Sequence, residues 1–450
     1  MQSAPEGALP AGLGLMIERP DQRLKSARLS RRQLLQGAGA LLGSLGAAAR
    51  VGAVPDTANE LHNPTVEYGQ ATLPMGVRSR YIDNDNGVRM HVLEAGFEGP
   101  RKPCIVFLHG FPELAYTWRN QLLPVARAGF HAIAPDLRGY GRSVGTPVTY
   151  ADDVLPYSRM NGVSDVVGLV RALGYKQVAA IVGHDWGSQT AAWCALVRPD
   201  IFRSVVLVST PFDGPPTYPL NAAAVTRTPA GEIDIDQALA ALPRPRKHYA
   251  SYWATRDANE DMWHAPQGVH DLLRALYYFK SADWKGNNPH PLKSWTATEL
   301  AKMPEYYIMG LHKSTAQTMA AVMPSQAQIE ACQWMTEKDL QVYSTEYRRT
   351  GFQGGLNLYR IQAVAGDLAS FSGRSIDVPA LYIAGASEWG VYQTPGAFEA
   401  MQHGACSRLQ GVHLVAGAGH SVVEEQPERV NHWLLQFLRA SMEKARASDH

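Results

Sequence analysis

Short unbroken apolar runs recur along this chain, and most are separated by stretches of helical period. The runs lie in "CIVFLHG" (Cys104 to Gly110), "HAIAPDLRGYGRS" (His131 to Ser143), "QVAAIVGHDWG", with its run at Val178 to Val182, and "RSVVLVSTPF" (Arg203 to Phe212). Two more come late, in "VPALYIAGASEWG" (Val378 to Gly390) and "GVHLVAGAGH" (Gly411 to His420). Helical patterns fall at Trp118 to Ala128, Gly162 to Leu173 and Ser188 to Val197. A strand without polar alternation is buried on both faces, which points to a parallel sheet covered by helices. Ahead of these, "SRYIDNDNGVRMHVLEAG" predicts a hairpin with a type I′ turn at Asn86-Gly87.

The alternation stops between residues 215 and 362. That stretch is rich in Trp, Tyr and Met and lacks strand-like runs, as in "HYASYWATRDANEDMWHAPQG" and "LLRALYYFKSADW". It predicts a mostly helical insertion seated over the strand ends. The pattern is thus an α/β core in two parts, 77–214 and 363–442, with a mostly parallel central sheet flanked by helices. A helical cap, 215–362, is inserted between them, and a short tail, 443–450, follows. In such sheets sites gather at the carboxyl ends of the strands, and the unusual residues of this chain stand there.

The first 53 residues change the picture only for destination. "LSRRQLLQGAGALLGSLGAAARVGA" carries Arg31 and Arg32, an uncharged apolar stretch and small residues near Ala47 to Ala53. This is the build of an export signal, and Ser-Arg-Arg-Gln-Leu-Leu resembles the twin-arginine signal of bacteria. Residues 54–76 read as an arm. No later segment reaches the roughly 20 apolar residues of a bilayer span, so no stable span is expected once the signal is cleaved. The 450 residues carry 42 basic and 41 acidic side chains, net +1, which gives nucleic acid no electrostatic foothold. The four cysteines show no metal-ligand spacing. Cys104 and Cys194 read as buried thiols, and a pairing of Cys332 with Cys406 is open. No metal and no cofactor are expected.

"GHDWG" sets the chemistry. Its spacing is that of the nucleophile elbow G-x-S-x-G, with Asp185 in the place of serine. A carboxylate with a pKa near 4 is already anionic at neutral pH. It suits attack on a saturated carbon bearing a leaving group, which yields an alkyl ester of Asp185. Water must then cleave that ester, with a general base and an oxyanion hole. His420 follows the last apolar run, and Glu388 follows the run before it and can orient the imidazole. Asp213, in "VLVSTPFDG", is the rival acid. Backbone N–H groups for the hole are expected from Phe111 and Trp186.

Taken together, "HGFPELAYTWRNQ", "PDLRGYGRS", "GHDWG", "TPF", "GFQGGLNLYR" and "GAGHSVVEEQPE" resemble the epoxide hydrolases of the α/β-hydrolase superfamily. The resemblance runs from about Arg80 to Leu438 and implies the α/β-hydrolase fold. It implies Asp185 as nucleophile, His420 as base and Glu388 where the family commonly has Asp. It also implies two cap tyrosines that donate protons to the epoxide oxygen. One falls on Tyr359; the other falls on Tyr249, with Tyr252 the alternative. An expelled alkoxide needs such donors, whereas a halide does not. His109, Pro112, Trp118, Trp253 and Trp389 are expected to line the pocket. The implied reactants are a small apolar epoxide and water. A haloalkane dehalogenase, which shares the Asp, and a non-catalytic ligand-binding homologue are the alternatives.

Overall fold

The apolar runs become strands of one sheet in the computed structural model, which describes residues 72–146, 148–217, 234–361 and 367–448. The expected export signal and most of the following arm lie outside the described residues, as does 218–233 of the insertion. In chain order the strands are β1 (Val77–Asp83), β2 (Arg89–Ala95), β3 (Cys104–Leu108), β4 (His131–Pro135), β5 (Ala180–His184), β6 (Val205–Val208), β7 (Arg246–His248), β8 (Ile308–Gly310), β9 (Ala380–Gly385) and β10 (Leu409–Val415). Eight of them form a sheet ordered β1-β2-β4-β3-β5-β6-β9-β10. The β1–β2 and β2–β4 pairs are antiparallel, and every pair from β4 to β10 is parallel.

Strands β3, β4, β5, β6 and β9 are buried along their whole length. Their alternate residues feed two separate cores. Ile105, Phe107, Val182 and Val208 face one, while Val106, Leu108, Ile181 and Leu207 face the other. That two-sided burial is why these runs carry no polar alternation. The principal helices are α1 (Arg119–Arg127), α2 (Arg159–Ala172), α3 (Trp186–Val197), α4 (Tyr249–Trp253), α5 (Gly268–Lys280), α6 (Glu337–Thr350), α7 (Gln353–Ile361) and α8 (Pro427–Ser448). The first three match the expected helical stretches, and α4 to α7 fall within residues 215–362, the stretch read as a cap. Among the described residues, no helix is long and apolar enough to cross a membrane.

Two expectations need correction. The β1–β2 turn is not type I′, because Asn86 does not take positive φ and Gly87 alone does, at +74°. Asn84 N–H bonds Val88 O at 2.9 Å, and the Asn84 side chain accepts the Asn86 and Val88 N–H groups at 2.9 and 3.0 Å. The result is a three-residue loop with glycine in the left-handed position. The stretch read as lacking strands holds one short antiparallel pair, β7 and β8, among its helices. Cys332 and Cys406 are free thiols; Cys104 and Cys194 are free and buried as expected.

One close approach fixes the site's frame. Helix α3 starts so near β3 that a Cβ on Gly187 would lie 2.2 Å from the Leu108 carbonyl oxygen. Backbone cannot yield there as a flexible side chain would. Gly187→Ala is therefore expected to destabilise the fold by about 1–3 kcal/mol, read as a lower urea midpoint. An unchanged midpoint would refute this account of the packing.

Candidate active site

Asp185 sits between β5 and α3 with φ 53° and ψ −117°. A non-glycine residue at positive φ is strained. The surroundings hold it there: its N–H donates to Val208 O at 3.2 Å, and its C=O accepts the Ser188 N–H at 3.0 Å. Gly110 makes room for the side chain, since a Cβ there would stand 2.4 Å from Asp185 Oδ1. The next residue supplies a donor, with the Phe111 N–H reaching Asp185 Oδ1 at 3.1 Å. Trp186 opens α3 directly after the carboxylate, where helix N–H groups lack internal acceptors.

His420 and Glu388 meet this turn from the neighbouring strand ends. His420 Nδ1 lies 3.0 Å from Glu388 Oε2, and Nε2 lies 3.8 Å from Asp185 Oδ2. A carboxylate only accepts, so Nδ1 carries the proton of the neutral ring and Nε2 keeps its lone pair towards Asp185. Burial pushes the Glu388 carboxyl up, but His420, Lys280 and the Gly390 N–H outweigh it and hold it below the usual range. Asp213 is exposed and forms no ion pair or hydrogen bond with His420 among the described residues. The structure brings Glu388, not Asp213, to the imidazole.

Tyr359 packs on the two residues beside Asp185. Its ring is 5.8 Å from Phe111 and 5.2 Å from Trp186. Tyr249 is 5.9 Å from Tyr359, and its hydroxyl donates to Gln393 Oε1 at 3.3 Å. Burial raises both phenols, with the Asp185 charge adding to it. Both therefore stay protonated at neutral pH and can donate. Tyr252 sits elsewhere, under the Lys247 ammonium at 4.1 Å and beside Asp261.

The five expected pocket residues divide. Trp253 is buried against the rings at the site, 5.1 Å from Phe111 and 5.0 Å from Tyr359, with its N–H on Thr315 Oγ1 at 2.8 Å. Pro112 sits in the turn, where its carbonyl accepts the Tyr277 hydroxyl at 3.2 Å. The other three are also buried, in contacts of their own. His109 is buried with Nδ1 on Gly110 O (2.8 Å) and Nε2 accepting the Leu137 N–H (3.0 Å), so it ties two loops together. Trp118 is fully buried against Phe107 at 5.0 Å. Trp389 is buried behind Glu388 with its ring edge-on to His290.

Sequence reasoning passed over a second charged pair. Glu113 and His184 are both fully buried, at 3.7 Å between Oε2 and Nδ1. Glu113 Oε1 also lies 3.6 Å from His420 Nε2, and His184 Nε2 donates to the His420 carbonyl at 2.7 Å. The signal was present: Glu113 closes "HGFPE", and His184 is the charged residue at the end of an apolar strand. Ser209, at φ 72°, adds an Oγ 3.1 Å from His420 Nδ1. Glu113, His184 and His420 offer three donor atoms within 4.8 Å of one another. His184 nonetheless spends Nε2 on a carbonyl, and a protonated ring has no lone pair for a metal, so the set reads as an ion pair.

Burial opposes both charges of that pair. The histidines and Lys280 still pull Glu113 down, and Glu113 with Asp185 pushes His184 up. A histidine raised in the folded state stabilises fully below its ordinary pKa of about 6.5, and that stability is lost as pH rises through the raised value. Thermal stability is thus expected to fall between pH 7 and pH 10. Glu113→Gln should flatten that fall, and melting curves across the range check it. An equally steep fall in the variant would refute the ion pair.

The comparisons follow this geometry. Residues 103–427 match the family model described as alpha/beta hydrolase fold. The chain is 32% identical over 365 residues to epoxide hydrolase B of Mycobacterium tuberculosis, covering 79% of this chain and 97% of that one. It is 32% identical over 357 residues to an epoxide hydrolase of Caballeronia sordidicola, covering 79% and 92%. The solved structure of an epoxide hydrolase from an endophytic Streptomyces superposes with a TM-score of 0.65 at 30% identity, covering 82% of this chain and 97% of that one. A strained aspartate elbow, an imidazole with its acid, and this shared length lead to one conclusion: the chain belongs to the α/β-hydrolase fold family, within its epoxide hydrolases.

Proposed function

We propose that this enzyme opens a small apolar epoxide to a vicinal diol through a covalent ester on Asp185. The observation that carries the reading is the pairing of an elbow carboxylate with two phenols, Tyr359 buried and Tyr249 half-buried, in one aromatic cluster. In the first step a carboxylate oxygen of Asp185 attacks an epoxide carbon. The carbon–oxygen bond of the ring breaks, and its electron pair passes to oxygen, which takes a proton from Tyr249 or Tyr359. Phe111, Trp253 and the tyrosine rings present apolar surface to the substrate.

In the second step His420 Nε2 removes a proton from water, which adds to the ester carbonyl. Charge develops on Asp185 Oδ1, where the Phe111 N–H already points, and Trp186 N–H is the second donor expected. Collapse breaks the ester C–O bond, the departing alkoxide takes the second proton of the water from the Asp185 carboxyl, and the diol leaves with Asp185 again a carboxylate. The proton on His420 returns to the phenolate. Glu388 holds the ring in the productive tautomer, and Glu113 stands 3.6 Å from the same Nε2, placed to hold the attacking water. No cofactor enters this sequence.

His420→Gln should therefore alkylate and then stall. After soaking in styrene oxide, its intact mass should rise by one epoxide, mapped to the peptide that holds Asp185. A parallel soak in 1-bromobutane gives the opposing outcome: a butyl adduct with bromide release and no epoxide adduct would overturn the reading. We also propose export through the twin-arginine signal around Arg31 and Arg32, supported by the sequence of that segment. Replacing both arginines with lysine should retain the protein in the cytoplasm, and secretion unchanged in cell fractions would refute this.

A further inference from the structure

The cap touches the base half of the triad directly. The Lys280 carbonyl, at the end of α5, accepts the His420 N–H at 2.9 Å. Ala282 N–H donates to Glu425 Oε2 at 2.9 Å, and the same oxygen accepts the Gly419 N–H at 2.9 Å. Glu425 Oε1 accepts the Ser421 N–H at 3.1 Å. The residues on both sides of His420 are thereby fastened to one buried carboxylate that also holds the cap. Tyr307, in the cap just before β8, donates its hydroxyl to Glu388 Oε1 at 3.3 Å. The nucleophile has no such debt to the cap: Asp185 is held by β5, β6, α3 and the Phe111 N–H.

Glu388 is the reason this matters. A glutamate has one more rotatable bond than the aspartate its family commonly carries, so its carboxylate needs more anchoring to aim at an imidazole. Oε2 is spent on His420 Nδ1. Oε1 has two donors, the Gly390 N–H and the Tyr307 hydroxyl. The hydroxyl is the only one of these that comes from the cap. Tyr307 is itself fixed, buried with its ring 4.8 Å from Tyr306 and 5.4 Å from Tyr249.

We propose that Tyr307 is a positioning residue for the second half-reaction: the docked cap lends its hydroxyl to Glu388 and so steadies the imidazole that activates water. This rests on the covalent-ester reading above. Alkylation of Asp185 needs the carboxylate and the two phenols, not the Glu388–His420 pair. The two half-reactions therefore differ in their dependence on this contact.

The test is Tyr307→Phe, which keeps the ring and removes the hydroxyl, followed by rapid quench with styrene oxide. Alkylation should stay within about twofold of the parent, while ester hydrolysis slows about tenfold, the scale of one hydrogen bond to a charged group. The Asp185 ester should then accumulate in intact mass during turnover. In a Glu388→Gln background the same substitution should change hydrolysis by less than about twofold, because the charged acceptor is gone. Parallel slowing of both steps would mean a loosened cap and overturns the proposal. So does a full tenfold loss in the Glu388→Gln background. Should Tyr307→Phe not fold, Glu388→Asp carries the question, since the shorter acid cannot span His420 and Tyr307. Ester hydrolysis at the parent rate in that variant overturns the proposal. An ester that forms and is hydrolysed normally by Tyr307→Phe sinks this inference alone; no ester in parent or His420→Gln protein sinks the covalent reading with it.

Discussion

Three carboxylates crowd this site, and their mutual repulsion governs how it is built. Glu113 and Glu388 are almost wholly buried, while Asp185 keeps 15% of its side chain exposed. Taking such groups out of water is costly unless each has an opposite charge or donors. Two cations answer. His184 pairs with Glu113, and Lys280, over the Tyr306 ring at 4.8 Å, acts on both Glu113 and Glu388. Among the described residues Asp185 is in ion-pair range of no lysine or arginine; it has the Phe111 N–H at 3.1 Å and an imidazole 3.8 Å away. The two buried glutamates are balanced by nearby positive charge, and in the proposed reaction Asp185 is left free to attack.

Backbone strain is spent in the same place. Among the described residues, the non-glycine positions with positive φ are Asp185 and Ser209, and both lie at His420. Each ends a central parallel strand, β5 or β6, so a fully buried sheet is what over-determines the two turns. The glycines at 110 and 187 let the loops close around them. Rigid scaffold and strained turn are one device: the first supplies the free energy that keeps the second from relaxing.

The parts of this arrangement with a local signature were legible in the sequence. Unbroken runs between helical stretches gave the sheet, because two-sided burial removes polar positions. "GHDWG" gave Asp185, and the order of loops after the last two strands gave Glu388 and His420. What was not legible depends on contacts between distant segments. Trp118, Trp253 and Trp389 are all buried, and which rings each one packs on depends on residues far away in the chain. The choice of Glu388 over Asp213 turned on which loop reaches the imidazole. Glu113 and His184 sit inside quoted motifs, yet only their 3.7 Å approach across 71 positions gives them meaning as a pair. Tyr307 had no signal at all, since one tyrosine in so aromatic a cap looks like any other.

The charge balance also bears on the timing of proton transfer. Tyr249 is raised by burial first and then by Asp185 and Glu388; Tyr359 by burial, by Tyr249 and by Asp185. While Asp185 is anionic, its field opposes loss of a proton from either phenol. In the proposed reaction that charge leaves Asp185 as the ester forms and appears on the epoxide oxygen. The obstacle to proton release thus weakens while the acceptor's basicity grows. The same crowding of negative charge that makes the resting site expensive keeps its acids protonated until the ring opens. Loss of the proton then tracks formation of the ester rather than preceding it.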